Sequence, residues 1–166
     1  MIKISRETEN DSFEIETLLD LTFGFGRNTL TSYRLREGVD KIFELSFVLR
    51  DEFNVLVGTI RFWPILLGLQ RAPGLLLGPL GVHPTRQGEG LGEFLIGKSL
   101  KKASELDWTR IILVGELEYY KRFGFSRSIV DKIYFKDGSN SNRLLGRELK
   151  IGSLSNLIGP INCFEN

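Results

Sequence analysis

Residues 75–114, LLLGPLGVHPTRQGEGLGEFLIGKSLKKASELDWTRIILV, constrain the fold more than any other part of the chain. LLLGPLGV (75–82) is apolar almost throughout, as a strand covered on both faces must be. A helix opens after Gly92 and runs to about Asp107. At about 100° per residue, Leu95, Ile96, Ser99, Leu100, Ala103 and Leu106 share one face, and Lys98, Lys101, Lys102 and Glu105 the other. That division is what a half-buried helix requires. RIILV (110–114) is the next buried strand.

Two features of this stretch need a reason. Gly78-Pro79 interrupts the first strand, although proline cannot donate to a sheet ladder. Either the strand bulges and parts from a neighbour there, leaving backbone groups open beside a glycine gap, or it ends in a turn. Gly88, Gly90 and Gly92 alternate just before the helix, although glycine loses more backbone freedom on folding than any other residue. A helix N-terminus carries unpaired N–H groups and a partial positive charge, and bare backbone lets an oxyanion reach them. The plain alternative is a tight, glycine-rich turn.

The rest of the chain reads as a mixed series of strands and helices without linker or repeat. IKISR (2–6) suits a short opening strand, and Asp11 or Ser12 a cap for a helix carrying Ile15, Leu18, Leu19 and Thr22. FGFGRN (23–28) is a loop before a short helix over 29–36. ELSFVLR (44–50) and VLVGTIRFW (55–63) read as a hairpin. ELEYYKRF (116–123) suits a short helix ended by Gly124. DKIYF (131–135) and RELKI (147–151) add strand-like pieces, and NLIGPINC is uninformative.

The 166 residues fit one domain, 1–166. Lysine and arginine number 22 against 21 acidic residues, so charge gives no case for nucleic acid or an anionic membrane. With one cysteine, Cys163, and one histidine, His83, a sulfur–imidazole zinc site is not expected. No signal-peptide core and no membrane span are visible, and the chain reads as cytoplasmic.

Three motif readings compete at the glycine loop. GEFLIGKS (92–99) matches the phosphate-binding pattern G-x-x-x-x-G-K-[ST] by letter, but that reading strips Leu95 and Ile96 from the helix face. A dinucleotide fingerprint fails, since Glu93 and Leu95 stand where its third glycine belongs. The third reading covers more: Gln87-x-x-Gly90-x-Gly92 follows a buried strand and opens a long helix. It resembles the coenzyme A motif of the GCN5-related N-acetyltransferases, the GNAT superfamily. RIILVGELEYYKRFGF resembles that family's next strand and short helix, with Tyr120, Gly124 and Phe125 in the pattern Y-x-x-x-G-F.

The resemblance implies an α/β fold with a central mixed sheet whose middle parallel strands, 75–82 and 110–114, splay apart, flanked by helices. It implies an N-acetyltransferase using acetyl-CoA, with no metal, and a small-molecule or peptide amine as acceptor. The diphosphate would lie on backbone N–H groups from Gln87, Gly88, Glu89, Gly90, Leu91 and Gly92. The pantetheine amides would pair with main chain at Leu80, Gly81 and Val82. Tyr120 would donate to the departing thiolate; its other reading is an amphipathic core aromatic. Glu116 would take the amine's proton, or it is an acidic residue suited to a helix N-terminus. Trp63 and the 23–28 loop line the acceptor pocket or pack in the core. Lys98, Lys101, Lys102 and Arg86 meet the 3′-phosphate or are solvated. His83 reads as turn chemistry with Pro84. A homodimer fits the family, and the alternative function is a CoA-binding module without catalysis.

Overall fold

In a computed structural model the chain is described over residues 1–24 and 31–165. The elements are β1 (Lys3–Arg6), α1 (Ser12–Phe23), α2 (Thr31–Arg34), β2 (Phe47–Arg50), β3 (Leu56–Leu67) and β4 (Ala72–Val82). They continue with α3 (Leu91–Glu105), β5 (Arg110–Val114), α4 (Leu117–Tyr120), β6 (Ile133–Tyr134), β7 (Leu144–Glu148) and β8 (Gly159–Cys163). The sheet order is β1-β2-β3-β4-β5-β7, with β8 joined to β3 and β6. Most neighbours are antiparallel; β4 with β5 and β6 with β8 are parallel.

Helix α3 buries Leu95, Ile96, Ser99, Leu100 and Ala103 against the sheet, the face its spacing predicts. Leu106, expected there too, lies just past the helix end and is exposed. Leu95 and Ile96 reach Leu75, Ile60, Phe62 and Ile111 in the main core. Each such fully buried side chain is worth about 1.5–3 kcal/mol relative to exposure. The opposite face packs Leu76 and Ile112 with Ile65, Phe135, Leu154 and Ile161. These layers also settle the phosphate-loop pattern: Gly92–Ser99 is helix throughout, and the Ser99 hydroxyl donates to the Leu95 carbonyl at 2.6 Å.

The β2–β3 hairpin forms as expected, but Phe43–Leu45 is a 3-10 turn, and β3 continues through Pro64 to Leu67. Pro64 is tolerated because β2 pairs with β3 only up to Ile60 and β8 only from Ile65, while Pro64 lies opposite Leu75 of β4. Three further expectations shift. Asp11 precedes α1 without a side-chain cap; its carboxylate accepts from the Thr8 N–H at 2.8 Å and from Arg50 at 2.7 Å. The strand expected at 147–151 lies at Leu144–Glu148, and the tail forms β8. Residues 25–28 of the glycine-punctuated loop lie outside the described residues.

Candidate active site

β4 and β5 pair only at Leu75–Ile111 and Leu76–Ile112, yet β4 continues to Val82. The cause of the parting is local. Ile60 faces Leu80 and Phe62 faces Leu77, so Arg61 of β3 stands opposite two residues, Gly78 and Pro79, and β4 bulges. The Trp63 indole N–H donates to the Gly78 carbonyl at 2.7 Å and holds the bulge. Meanwhile β5 is paired along its whole length with β7. The expected bulge and splay are therefore both present.

Above the splay the chain turns through His83–Arg86. The His83 ring nitrogen Nδ1 meets the Thr85 hydroxyl at 2.8 Å and accepts from the Thr85 N–H at 3.3 Å, which is turn chemistry as expected. The three glycines have different reasons. Gly88 and Gly90 hold φ of +88° and +78°, the left-handed region that favours glycine. Gly90 is the N-cap of α3 and has no side chain to satisfy the first-turn N–H groups, so these face outward. Gly92 is helical; a Cβ there would stand 2.6 Å from the Tyr119 hydroxyl oxygen. Its bareness makes room for a side chain of α4.

The Tyr119 and Tyr120 rings of α4 meet edge to face, their planes perpendicular and their centroids 4.9 Å apart. The Tyr120 ring covers Gly115, where β5 ends, and a Cβ on Gly115 would stand 2.6 Å from it. Thus Tyr119 reaches the start of α3 and Tyr120 sits at the mouth of the splay. Neither hydroxyl has a protein partner among the described residues. Burial pushes the Tyr120 phenol well up, with Tyr119 adding to it; burial and then Glu93 also raise Tyr119. Arg122 pairs with Glu93 at 2.7 Å and lies 5.1 Å over the Tyr119 ring, tying α4 to the first turn of α3.

These parts enclose a cleft of about 450 Å³. Of the expected residues, Leu80, Val82, Gln87, Gly88, Gly90, Leu91, Gly92 and Tyr120 line it. Gly81 faces Leu19 of α1 instead, and Glu89 pairs with Arg86 at 2.8 Å. Glu116 does not line the cleft: its carboxylate is three-quarters exposed, 3.3 Å from Arg143, while its carbonyl accepts from the Tyr119 and Tyr120 N–H groups. Arg86 lines the cleft; Lys98, Lys101 and Lys102 line a separate groove with Arg6. Thr22, Phe23, Glu93 and Tyr119 complete the walls; Phe23 opens the 23–28 loop expected at the acceptor pocket and Tyr119 is the weaker of two neighbouring acid candidates, while Thr22 and Glu93 were not expected there. The Tyr119–Tyr120 doublet was the available signal. On the other side of the bulge a pocket of about 310 Å³ includes Trp63, Glu16 and Arg36. Among the described residues no group of three or more His, Cys, Asp or Glu side chains could hold a metal, and no helix is long and apolar enough to cross a membrane.

A parallel pair splayed beside a glycine-opened helix defines a class. The chain belongs to the acetyltransferase (GNAT) family, whose pattern matches residues 13–125. It is 26% identical over 115 residues to YhbS of Escherichia coli K12, an uncharacterized N-acetyltransferase, covering 69% of this chain and 68% of that one. The crystal structure of Escherichia coli YhbS in complex with CoA superposes with a TM-score of 0.83 at 22% identity, over 99% of this chain and 90% of that one. A GNAT family acetyltransferase from Brucella melitensis in complex with acetyl-CoA gives 0.72 at 23% identity, over 99% and 96%. These structural likenesses are of fold.

Proposed function

We propose that the chain transfers an acetyl group from acetyl-CoA to a primary amine by direct attack. The observation that carries this reading is the convergence, in one cleft, of outward N–H groups, open β4 main chain and two unpartnered phenols. The diphosphate rests on the backbone from Gln87 to Gly92, where a helix N-terminus favours negative charge. The Tyr119 hydroxyl, beside Gly92, donates to it as well. The pantetheine amides pair with β4 at Leu80 and Val82, taking the place of the β5 backbone that has turned away. That the family members from Escherichia coli and Brucella melitensis are complexes with CoA and acetyl-CoA supports the choice of cosubstrate.

The amine nitrogen attacks the thioester carbonyl, the C–S bond breaks, the nitrogen loses a proton and the sulfur gains one. Tyr120 serves the sulfur. Its phenol, raised above the ordinary value near 10, stays protonated at neutral pH. A thiol titrates near 8.5, so such a phenol stabilises the thiolate chiefly by donating a hydrogen bond, and it yields its proton only as a new one arrives. For the amine's proton, Glu116 is the carboxylate expected from sequence; Glu16 of α1, which lines the pocket beside the bulge and pairs with Arg61 at 3.1 Å, is the alternative.

Titration calorimetry with acetyl-CoA, followed by thiol-release assays over a panel of amines, tests the reading. Tyr120→Phe should bind acetyl-CoA normally and lose about 10²-fold or more in kcat. Unchanged turnover would remove Tyr120 from the mechanism. Binding without turnover of any amine would leave a CoA-binding module in place of an enzyme.

A further inference from the structure

β1 ends the sheet. It pairs with β2 on one side, and no described strand pairs with its other edge. Lys3, Ser5 and Arg6 are exposed there, and an edge of this kind leaves alternate backbone N–H and C=O groups open. Between this end of the sheet and α3 runs a groove of about 350 Å³. Ile4 packs on the main core, and Arg6, two residues on, shares its face of the strand. Arg6 therefore lines the groove together with Phe47, its partner on β2.

The other wall is a stripe of α3. Lys98, Lys101, Lys102 and Glu105 stand at i, i+3, i+4 and i+7, one face of a helix. The Arg6 guanidinium lies 5.1 Å over the Phe43 ring. Arg6, Lys98 and Lys101 meet no carboxylate at ion-pair distance among the described residues, and Lys102 has only Glu105, at 3.9 Å. With Glu44 the groove holds four cations and two carboxylates, an excess of positive charge on a chain whose net charge is only +1. Its charge calls for an anion, and the open strand beside it calls for another strand.

Three occupants compete. A second copy of this chain, paired edge to edge about a two-fold axis, would bring an identical set of cations to the groove, and like charges repel. A polynucleotide offers the edge only acceptors, and its evenly spaced phosphates would meet Glu44 and Glu105 as well as the lysines. An extended acidic peptide answers both features. Lys98 and Lys102 are about 6 Å apart along α3, close to the roughly 6.7 Å between alternate side chains of a strand. Carboxylates two residues apart therefore each find a lysine. Edges are commonly guarded by charge; here the charge is of one sign, so it turns away a basic strand and admits an acidic one.

We propose that an extended acidic segment of a protein partner adds as a strand to the outer edge of β1, its carboxylates seated among Arg6, Lys98, Lys101 and Lys102. Main-chain hydrogen bonds supply affinity and the groove supplies selection, as in other strand additions. The inference is independent of acetyl transfer, since the groove shares no lining residue with the cleft.

The probe is a short labelled peptide alternating glutamate with threonine, matched in length to β1 and followed by fluorescence anisotropy. It should bind, weaken about tenfold or more as salt rises from about 50 to about 500 mM, and protect the Lys3–Arg6 amides from hydrogen exchange. The double reversal Lys98→Glu with Lys101→Glu, at two exposed positions, should weaken binding about tenfold or more, with a thermal melt reporting its fold. Should that variant not fold, Lys98→Gln with Lys101→Gln should show a smaller loss in the same direction. The same peptide N-methylated at alternate residues keeps its charge and loses strand donors, and it should not bind. The inference is overturned if the lysine–threonine peptide binds as well, if the N-methylated peptide is unaffected, or if the Lys3–Arg6 amides stay unprotected. Tighter binding of oligouridylate or of phosphatidylserine-rich vesicles than of the acidic peptide would also overturn it.

Discussion

At the residue scale, the glycines of the loop divide between conformation and space. Gly90 needs its positive φ, so Gly90→Ala should cost about 1–2 kcal/mol in a denaturant melt. Gly92 does not, and what its Cβ would meet is the far end of a tyrosine. Gly92→Ala should therefore leave the melt nearly unchanged while pushing the Tyr119 hydroxyl away from the helix start. Its KM for acetyl-CoA should rise about tenfold, as in Tyr119→Phe, for loss of a hydrogen bond to a charged group. Tyr120→Phe should lower kcat instead, and this split separates the two neighbouring phenols. With Tyr120 raised, the pH profile of kcat should climb as the amine deprotonates and show no fall from this group until above pH about 10. A limb at lower pH that disappears in Tyr120→Phe would contradict that assignment. The tyrosine doublet was visible in the sequence, but the direction of each ring was not. Neighbours on a helix point about 100° apart, and only the docking of the short Leu117–Tyr120 helix decides which one meets Gly92 and which meets Gly115.

At the element scale, α3 and its flanking strands follow from local pattern, while a proline inside an apolar run leaves bulge and turn both open until the register with β3 decides for the bulge. Leu95, fully buried between α3 and the sheet, should cost about 2–5 kcal/mol as Leu95→Ala. Trp63→Phe removes the donor to the Gly78 carbonyl while keeping most of the ring. It should cost about 1 kcal/mol in stability and lower kcat/KM more than Leu95→Ala does, because the lost bond holds the splay. Equal effects of the two variants on turnover would show that the bulge does not need its indole. The elements that escaped the sequence reading share a cause. β3 beyond Trp63 contains Pro64, β8 is short, and β7, expected at 147–151, begins three residues earlier. Their strand character comes from neighbours far along the chain, with β8 pairing Cys163 to Ile65. Such pairings leave no periodicity to read.

At the scale of the whole molecule, the first helix is pinned to the sheet by charge. Arg50 of β2 donates to Asp11 at 2.7 Å and to Glu14 at 2.9 and 3.1 Å. The Arg50 hydrogen bond holds the Glu14 carboxyl low. For Asp11 burial acts upward, and the bonds from Arg50 and Thr8 outweigh it. Both groups therefore have lower values folded than unfolded. Their contribution is complete above the unfolded carboxylate range near 4 and is lost as pH falls through the depressed native values. Urea melts should show stability declining below pH about 4, and Arg50→Met should flatten that decline while lowering stability at neutral pH.

By itself the sequence determined the α/β order and the half-buried helix after the glycine loop, and it narrowed Gly78-Pro79 to a bulge or a turn. These depend on local spacing and on backbone geometry that only certain residues permit. Only the tertiary structure decided that Glu116 turns to solvent, that Gly92 yields its space to Tyr119, and that Glu16, Arg36 and Trp63 share one pocket. Side chains from α1, the segment after α2 and β3 meet there because the sheet folds them together across long stretches of chain, and no pattern along one segment encodes such a meeting.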